Sequence, residues 1–135
     1  MPGYILQLFK QQMKTQEQAI LIVDDSALII ERLLAMLNGL GPVKDITTAS
    51  NYKEAVGVLT ETKVDIAILD IHLTGKNGIE LLKFIVKNYP QTKVMMLSNA
   101  DNEKYRELCK KEGAMYFIDK SKDFELVPEI LASLN

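Results

Sequence analysis

The sequence predicts an α/β protein, a single parallel sheet covered by helices on both faces. Two observations carry that reading. After the first 18 residues, short apolar runs alternate with segments whose apolar residues recur at helical spacing. Two of those runs, "AILIVDDS" and "IAILDIHLTG", have the composition of buried strands yet close on carboxylates: Asp24 and Asp25 in the first, Asp70 in the second. A length of 135 residues, 47% hydrophobic and 25% charged, suits one domain with one core that folds alone.

Residues 1–18 form an extension ahead of the folded domain at 19–135. In "GYILQLFKQQMK", Tyr4, Ile5, Leu8, Phe9 and Met13 fall at helical spacing. The extension is therefore read as a short amphipathic helix, free to pack on the body, self-associate or meet a partner. The first strand is expected at 19–24. A helix over 26–37 follows, with Ala27, Ile30, Leu33, Leu34 and Leu37 on one face, Ser26 as N-cap and Asn38-Gly39 as the stop. A strand at 43–48 and a helix at 52–60 come next, then a strand at 64–69 and a helix at 78–88 ended by Pro90. The fourth strand is placed at 93–97 and the fourth helix at about 102–112, stopping at Gly113. A strand at 114–118 and a helix at 124–134 complete the series, and that helix accepts Pro128 only within its first turn. The fourth helix is the exception among the five. "DNEKYRELCKKEG" offers only Tyr105, Leu108 and Cys109 as apolar anchors, so it is expected to dock weakly and move easily.

Several classes of function are disfavoured by composition. Sixteen basic and 18 acidic residues, mixed along the chain, give a net charge of −2 and no broad positive field for direct nucleic-acid binding. No apolar run approaches a membrane span of about 20 residues, and the opening "MPGYILQLFK" lacks the basic and small-residue marks of a signal peptide; a cytoplasmic location is expected. Cys109 is the only cysteine, which excludes an internal disulfide and a multi-cysteine metal site, and it reads as a small buried residue rather than a reactive thiol.

In a parallel sheet every strand ends on the same side, and ligands bind outside those ends where the strand order reverses. If the first and third strands are neighbours, right-handed crossovers bring Asp24, Asp25 and Asp70 together. Such carboxylates repel one another unless a cation is present. A hard, oxygen-seeking ion answers that, and Mg²⁺ fits because it takes few carboxylates and keeps waters for a phosphate. Ser98, ending the fourth strand, adds a hydroxyl at the same edge, and Lys120, ending the fifth, adds a positive charge. Taken singly, a strand-end Asp is usually a cap or a loop residue. Taken together and in this order, these groups supply what a phosphoryl acceptor needs: an attacking carboxylate and charge around the equatorial oxygens.

The motifs "VDDS", "LDIHLTGKNG", "MMLSNA" and "FIDK" resemble those of the receiver domains of two-component response regulators, single-domain type, over residues 19 to about 134. The resemblance implies a flavodoxin-like, doubly wound five-stranded sheet of order 2-1-3-4-5 with five helices. It also implies transfer of a phosphoryl group from a sensor histidine kinase or histidine phosphotransfer protein, with Mg²⁺ required. By the same resemblance Asp70 is the phosphoacceptor, and Asp25, Asp24 through water, Asp70 and the backbone carbonyl of His72 serve the metal. Ser98 is the hydroxyl that follows the phosphoryl group and Lys120 its ion pair. Gly78 is the glycine eight residues after the acceptor, and Phe117 occupies the aromatic switch position. Self-phosphorylation from small phosphodonors and slow autodephosphorylation follow, with no separate metabolic activity. Phosphorylation is expected to draw Ser98 inward and let Phe117 turn, changing the face made by the fourth helix, fifth strand and fifth helix. With no segment after the fifth helix, output is expected by contact with a downstream protein, and a homodimer is one open state.

Three positions depart from the family's pattern. Thr74 and Ser121 stand where prolines are usual, the second after a cis bond, and Asn99 is larger than the usual small residue beside the hydroxyl. These departures motivate the alternative of a pseudo-receiver, an interaction module that signals without phosphorylation. A haloacid-dehalogenase-type phosphatase would need a second aspartate two residues after the first, where this chain has His72.

Overall fold

A computed structural model describes residues 18–38, 43–73, 75–99 and 103–133. The amphipathic reading of the N-terminal extension falls outside these residues, as do Gly39, Thr74, Asn102 and Leu134. Five strands, β1 (Gln18–Val23), β2 (Val43–Ala49), β3 (Ile66–Asp70), β4 (Lys93–Ser98) and β5 (Tyr116–Asp119), pair in the order β2-β1-β3-β4-β5, each pair parallel. Between and after them run α1 (Ala27–Leu37), α2 (Tyr52–Glu61), α3 (Gly78–Asn88), α4 (Glu103–Lys111) and α5 (Val127–Ser133). The expected flavodoxin-like order is the observed one.

Period-two alternation splits the core into two layers. Leu21, Val23, Ala67, Leu69, Val94 and Met96 face α2, α3 and α4, where they meet Ala55, Leu59, Leu82, Ile85 and Cys109. The intervening residues Ile20, Ile22, Ile66, Ile68, Met95 and Leu97 face α1 and α5, meeting Leu33, Leu37, Val127 and Leu131. Because β1, β3 and β4 are covered on both sides, their sequences are continuous apolar runs. That is why a carboxylate at the end of such a run stands out.

Short side chains start three of the helices. Ser26 accepts the Ile29 N–H at 3.3 Å, Asn51 that of Glu54 at 2.9 Å and Asn77 that of Glu80 at 3.0 Å. Two boundaries differ from the sequence expectation for visible reasons. β5 begins at Tyr116 instead of residue 114, because the Ala114 N–H still caps α4 by donating to the Cys109 carbonyl at 2.9 Å, after a turn at Gly113 with φ of 106°. The last helix begins as a 3₁₀ turn, Phe124–Leu126, so Pro128 falls in the first turn of α5, where its missing N–H costs nothing. Among the described residues no helix is long and apolar enough to cross a membrane.

Candidate functional site

The sheet delivers its site at the carboxyl edge. In the β1–β3 register Val23 lies beside Leu69, so Asp24 and Asp70, each one residue further on, leave adjacent strands at the same level. Carboxylate oxygens of Asp24, Asp25 and Asp70 all lie within 4.8 Å of one another. Asp24 is fully buried and Asp70 nearly so, at 4% exposure, whereas Asp25 is exposed. Asp25 also borders an open cleft of about 840 Å³ whose walls include Tyr52, Lys53 and Lys76, so the cluster is reached from solvent on Asp25's side.

Lys120, the residue after β5, extends its ammonium back across the sheet edge. Its Nζ lies 2.7 Å from Asp24 Oδ2 and 3.3 Å from Asp70 Oδ1, and the side chain is almost wholly buried. Backbone donors complete the arrangement: Ser26 N–H to Asp24 Oδ1 at 2.9 Å, and His72 N–H to Asp70 Oδ1 at 3.2 Å. A buried ammonium is tolerated only with such partners. Burial pushes the Asp70 carboxyl above the ordinary carboxylate range and the Asp24 charge adds to that, while Lys120 and the His72 N–H pull it back only in part. With all three carboxylates ionised, one ammonium leaves two negative charges uncompensated. That surplus, presented by oxygen donors alone, fits a hard divalent cation such as Mg²⁺.

Glycine at position 78 has a steric cause. The Gly78 N–H donates to the Ile71 carbonyl at 2.7 Å, which brings the first turn of α3 against the end of β3. A Cβ there would overlap the Asp70 carbonyl oxygen and lie 2.8 Å from its carbonyl carbon and 2.9 Å from Ile71 Cα, all backbone atoms. Ser98 ends β4 fully buried at the same edge, and its carbonyl accepts the Lys120 N–H at 2.7 Å. Phe117 is half-buried on the α4 side of β5. His72 projects into solvent, its ring edge-on to Tyr105 with centroids 5.9 Å apart.

Two features escaped the sequence reading. Arg106 on α4 stacks its guanidinium over the Phe117 ring, 4.8 Å from the centroid, and donates to the Phe117 carbonyl at 3.3 Å. A half-buried cation leaves no mark in an apolar pattern. The second feature is the turn after Lys120. Among the described residues no peptide bond is cis, so the bond between Lys120 and Ser121 is trans. Ser121 gives both its N–H (2.8 Å) and its hydroxyl (2.6 Å) to Asp119 Oδ1, which holds that carboxyl below its usual range. A proline here would offer neither donor. Exposed Asn99 and buried Cys109, whose thiol is pushed up to about 11 by burial, complete the positions singled out earlier.

A sequence profile of the response regulator receiver domain matches residues 20–132. The chain is 37% identical over 103 residues to a protein-glutamate methylesterase/protein-glutamine glutaminase of Archaeoglobus fulgidus, covering 75% of this chain and 29% of that protein. It is 30% identical over 122 residues to the transcriptional regulatory protein DegU of Brevibacillus brevis, covering 88% and 50%. It thus spans half or less of the length of these two curated relatives. Among solved structures, the response regulator domain of Thermotoga maritima CheB superposes with a TM-score of 0.76 at 31% identity, over 88% of this chain and 94% of that one. The signal receiver domain of an HD domain-containing protein from Pseudomonas fluorescens Pf-5 gives a TM-score of 0.78 at 27% identity, over 88% and 95%.

Proposed function

The chain belongs to the response regulator receiver domain family of two-component signalling, and from that premise we propose that it accepts a phosphoryl group on Asp70. The observation that carries the proposal is that Asp70 shares the Lys120 ammonium, 3.3 Å away, with Asp24 and has a carboxylate oxygen within 4.8 Å of those of Asp24 and Asp25. A carboxylate oxygen of Asp70 forms the new bond to phosphorus as the P–N bond of a phosphohistidine breaks. The departing imidazole nitrogen keeps the bonding electrons and takes up a proton. Small acyl phosphates or phosphoramidates serve in the same way, and attack by water slowly returns the carboxylate. Asp24, Asp25, Asp70 and the backbone carbonyl of His72 would hold Mg²⁺, which when bound adds positive charge around the phosphoryl oxygens.

Lys120 keeps its place beside the phosphoryl group throughout and balances charge as it arrives. The Ser98 hydroxyl moves toward a phosphoryl oxygen, and Phe117 turns into the vacated space. The new phosphate brings about −1.5 to −2 charges. A few charge-assisted hydrogen bonds of about 1.5–3 kcal/mol each supply the roughly 5.5 kcal/mol that shifts a two-state equilibrium from 1:99 to 99:1. Upstream the partner is a sensor histidine kinase or histidine phosphotransfer protein, in the cytoplasm; downstream it is a protein that reads the face formed by α4, β5 and α5. None of the departures at Thr74, Asn99 or Ser121 takes a charged group from the cluster, so the phosphorylation-independent alternative gains no support from it.

The test is incubation with Mg²⁺ and a small phosphodonor, or with beryllofluoride, followed by intact mass and two-dimensional amide NMR, with Asp70→Asn as control. A mass gain confined to the wild type, with shifts reaching Phe117 and α4, is the expected result. No modification and no Mg²⁺-dependent shift would overturn it.

A further inference from the structure

We infer that α4 carries a second route from the acid cluster to β5, independent of Ser98, in which Tyr105 and Arg106 act as positioning residues. The inference rests on the reading of Asp70 as phosphoacceptor. Its first link is the hydrogen bond from the His72 N–H to Asp70 Oδ1, 3.2 Å long. Turning that carboxylate into an acyl phosphate changes the charge and geometry of the acceptor oxygen, so the backbone of the following loop must adjust. His72 passes the adjustment on through its ring, which meets Tyr105 edge-on at 5.9 Å and 78°. Tyr105 and Arg106 are consecutive on one helix, so a displacement of the first carries the second. Arg106 is fastened to β5 twice, by its stack on the Phe117 ring and its bond to the Phe117 carbonyl.

Helix α4 suits this role because its apolar anchoring is narrow, Tyr105 and Cys109 being its residues on the core. Cys109 is its only buried side chain, and Leu108 is more than a third exposed. An element held by a broad apolar stripe would absorb a small push from the loop. One held at a few specific contacts moves as a unit. The route therefore runs in series through Tyr105 and Arg106, and in parallel with any movement of Ser98.

The experiment reads the beryllofluoride-induced shifts of the Phe117 and Ile118 amides in the presence of Mg²⁺, with bound beryllofluoride followed separately by fluorine NMR. Tyr105→Ala and Arg106→Ala are each expected to bind beryllofluoride like the wild type and to reduce the induced shifts by roughly twofold to fivefold, the scale of one ring contact. The double variant should lose no more than the worse single one, because the two act in series. Combining Tyr105→Ala with Ser98→Ala should remove more of the response than Ser98→Ala alone. Tyr105→Phe, which keeps the ring, should restore the response, whereas Arg106→Lys, which loses the planar stack, should not. Full wild-type shifts in Tyr105→Ala and Arg106→Ala would overturn the route while leaving the phosphoacceptor reading intact. Absence of bound beryllofluoride in the wild type would remove that reading and the route with it.

Discussion

Helices α3 and α4 cover the same face of one sheet and are built in opposite ways. α3 buries Gly78, Ile79, Leu81, Leu82 and Ile85, and its first residue touches the backbone of Asp70. α4 buries Cys109 alone, with Tyr105 half-buried against the same core and the Arg106 guanidinium over the Phe117 ring. The difference separates two tasks. The element under the acid cluster must not move, because a small displacement there changes the distances between charges. The element beside β5 buries little apolar surface, so less free energy opposes its displacement than opposes that of α3.

The contrast is broken most severely at Gly78. Gly78→Ala puts a methyl group into backbone that cannot yield, and a loss of about 3 kcal/mol or more is expected in urea unfolding. An unchanged midpoint would show that α3 is free to slide. Ile85→Ala, which opens a cavity under α3, should cost about 2–5 kcal/mol, whereas Leu108→Ala on α4 should stay within about 0.5 kcal/mol. Equal costs would erase the distinction. Smaller free energies are resolved by exchange. Amides of α4 should exchange through openings well below the global unfolding free energy while those of α3 approach it, and Cys109, buried with its thiol pushed up to about 11, should be labelled at the rate at which α4 opens. Labelling only on global unfolding would make α4 as firm as α3.

The smallest effect concerns pH. The Asp70 carboxyl titrates above its ordinary value of 3.8 when folded, so the folded state holds that proton more tightly than the unfolded chain. The resulting stability is complete below about pH 3.8 and is lost as pH rises through the folded value. Without divalent cations, Asp70→Asn should therefore raise the melting temperature at neutral pH and leave it unchanged at pH 3. Asp119 has the opposite sign: its stabilisation is present above the ordinary value and lost as pH falls, and Ser121→Ala should flatten that acid limb. A wild-type melting profile identical to that of Asp70→Asn at every pH would mean that burial of the Asp70 charge costs nothing.

The layers of the fold were legible because apolar period distinguishes strand from helix, and three carboxylates at strand ends stood out against runs buried on both faces. Asp24, Asp25 and Asp70 meet where the reading of the residues placed them, at the shared carboxyl edge. What escaped was of another kind. The late start of β5 depends on how α4 closes, a matter of one backbone bond at Ala114. Arg106 carries a charge and therefore reads as a solvated surface residue, while its guanidinium lies over the Phe117 ring. Ser121 reads as a defect by comparison with a proline pattern, yet it donates twice to Asp119.

The bond between Lys120 and Asp24 joins residues 96 apart in sequence, across strands that are not neighbours in the sheet. On the ribosome, about 50 residues beyond Asp70 must still be made before Lys120 exists, roughly 3–10 s at ordinary rates of synthesis. During that interval the acidic side chains have no ammonium to balance them, and β1 and β3 lack the partner that ties their ends together. The residue that follows the last strand is thus the one that brings the ammonium to the cluster. A nascent chain released before residue 120 would carry Asp24, Asp25 and Asp70 without the ammonium that spans Asp24 and Asp70, so the full charge arrangement of the site is reserved for a chain translated past β5.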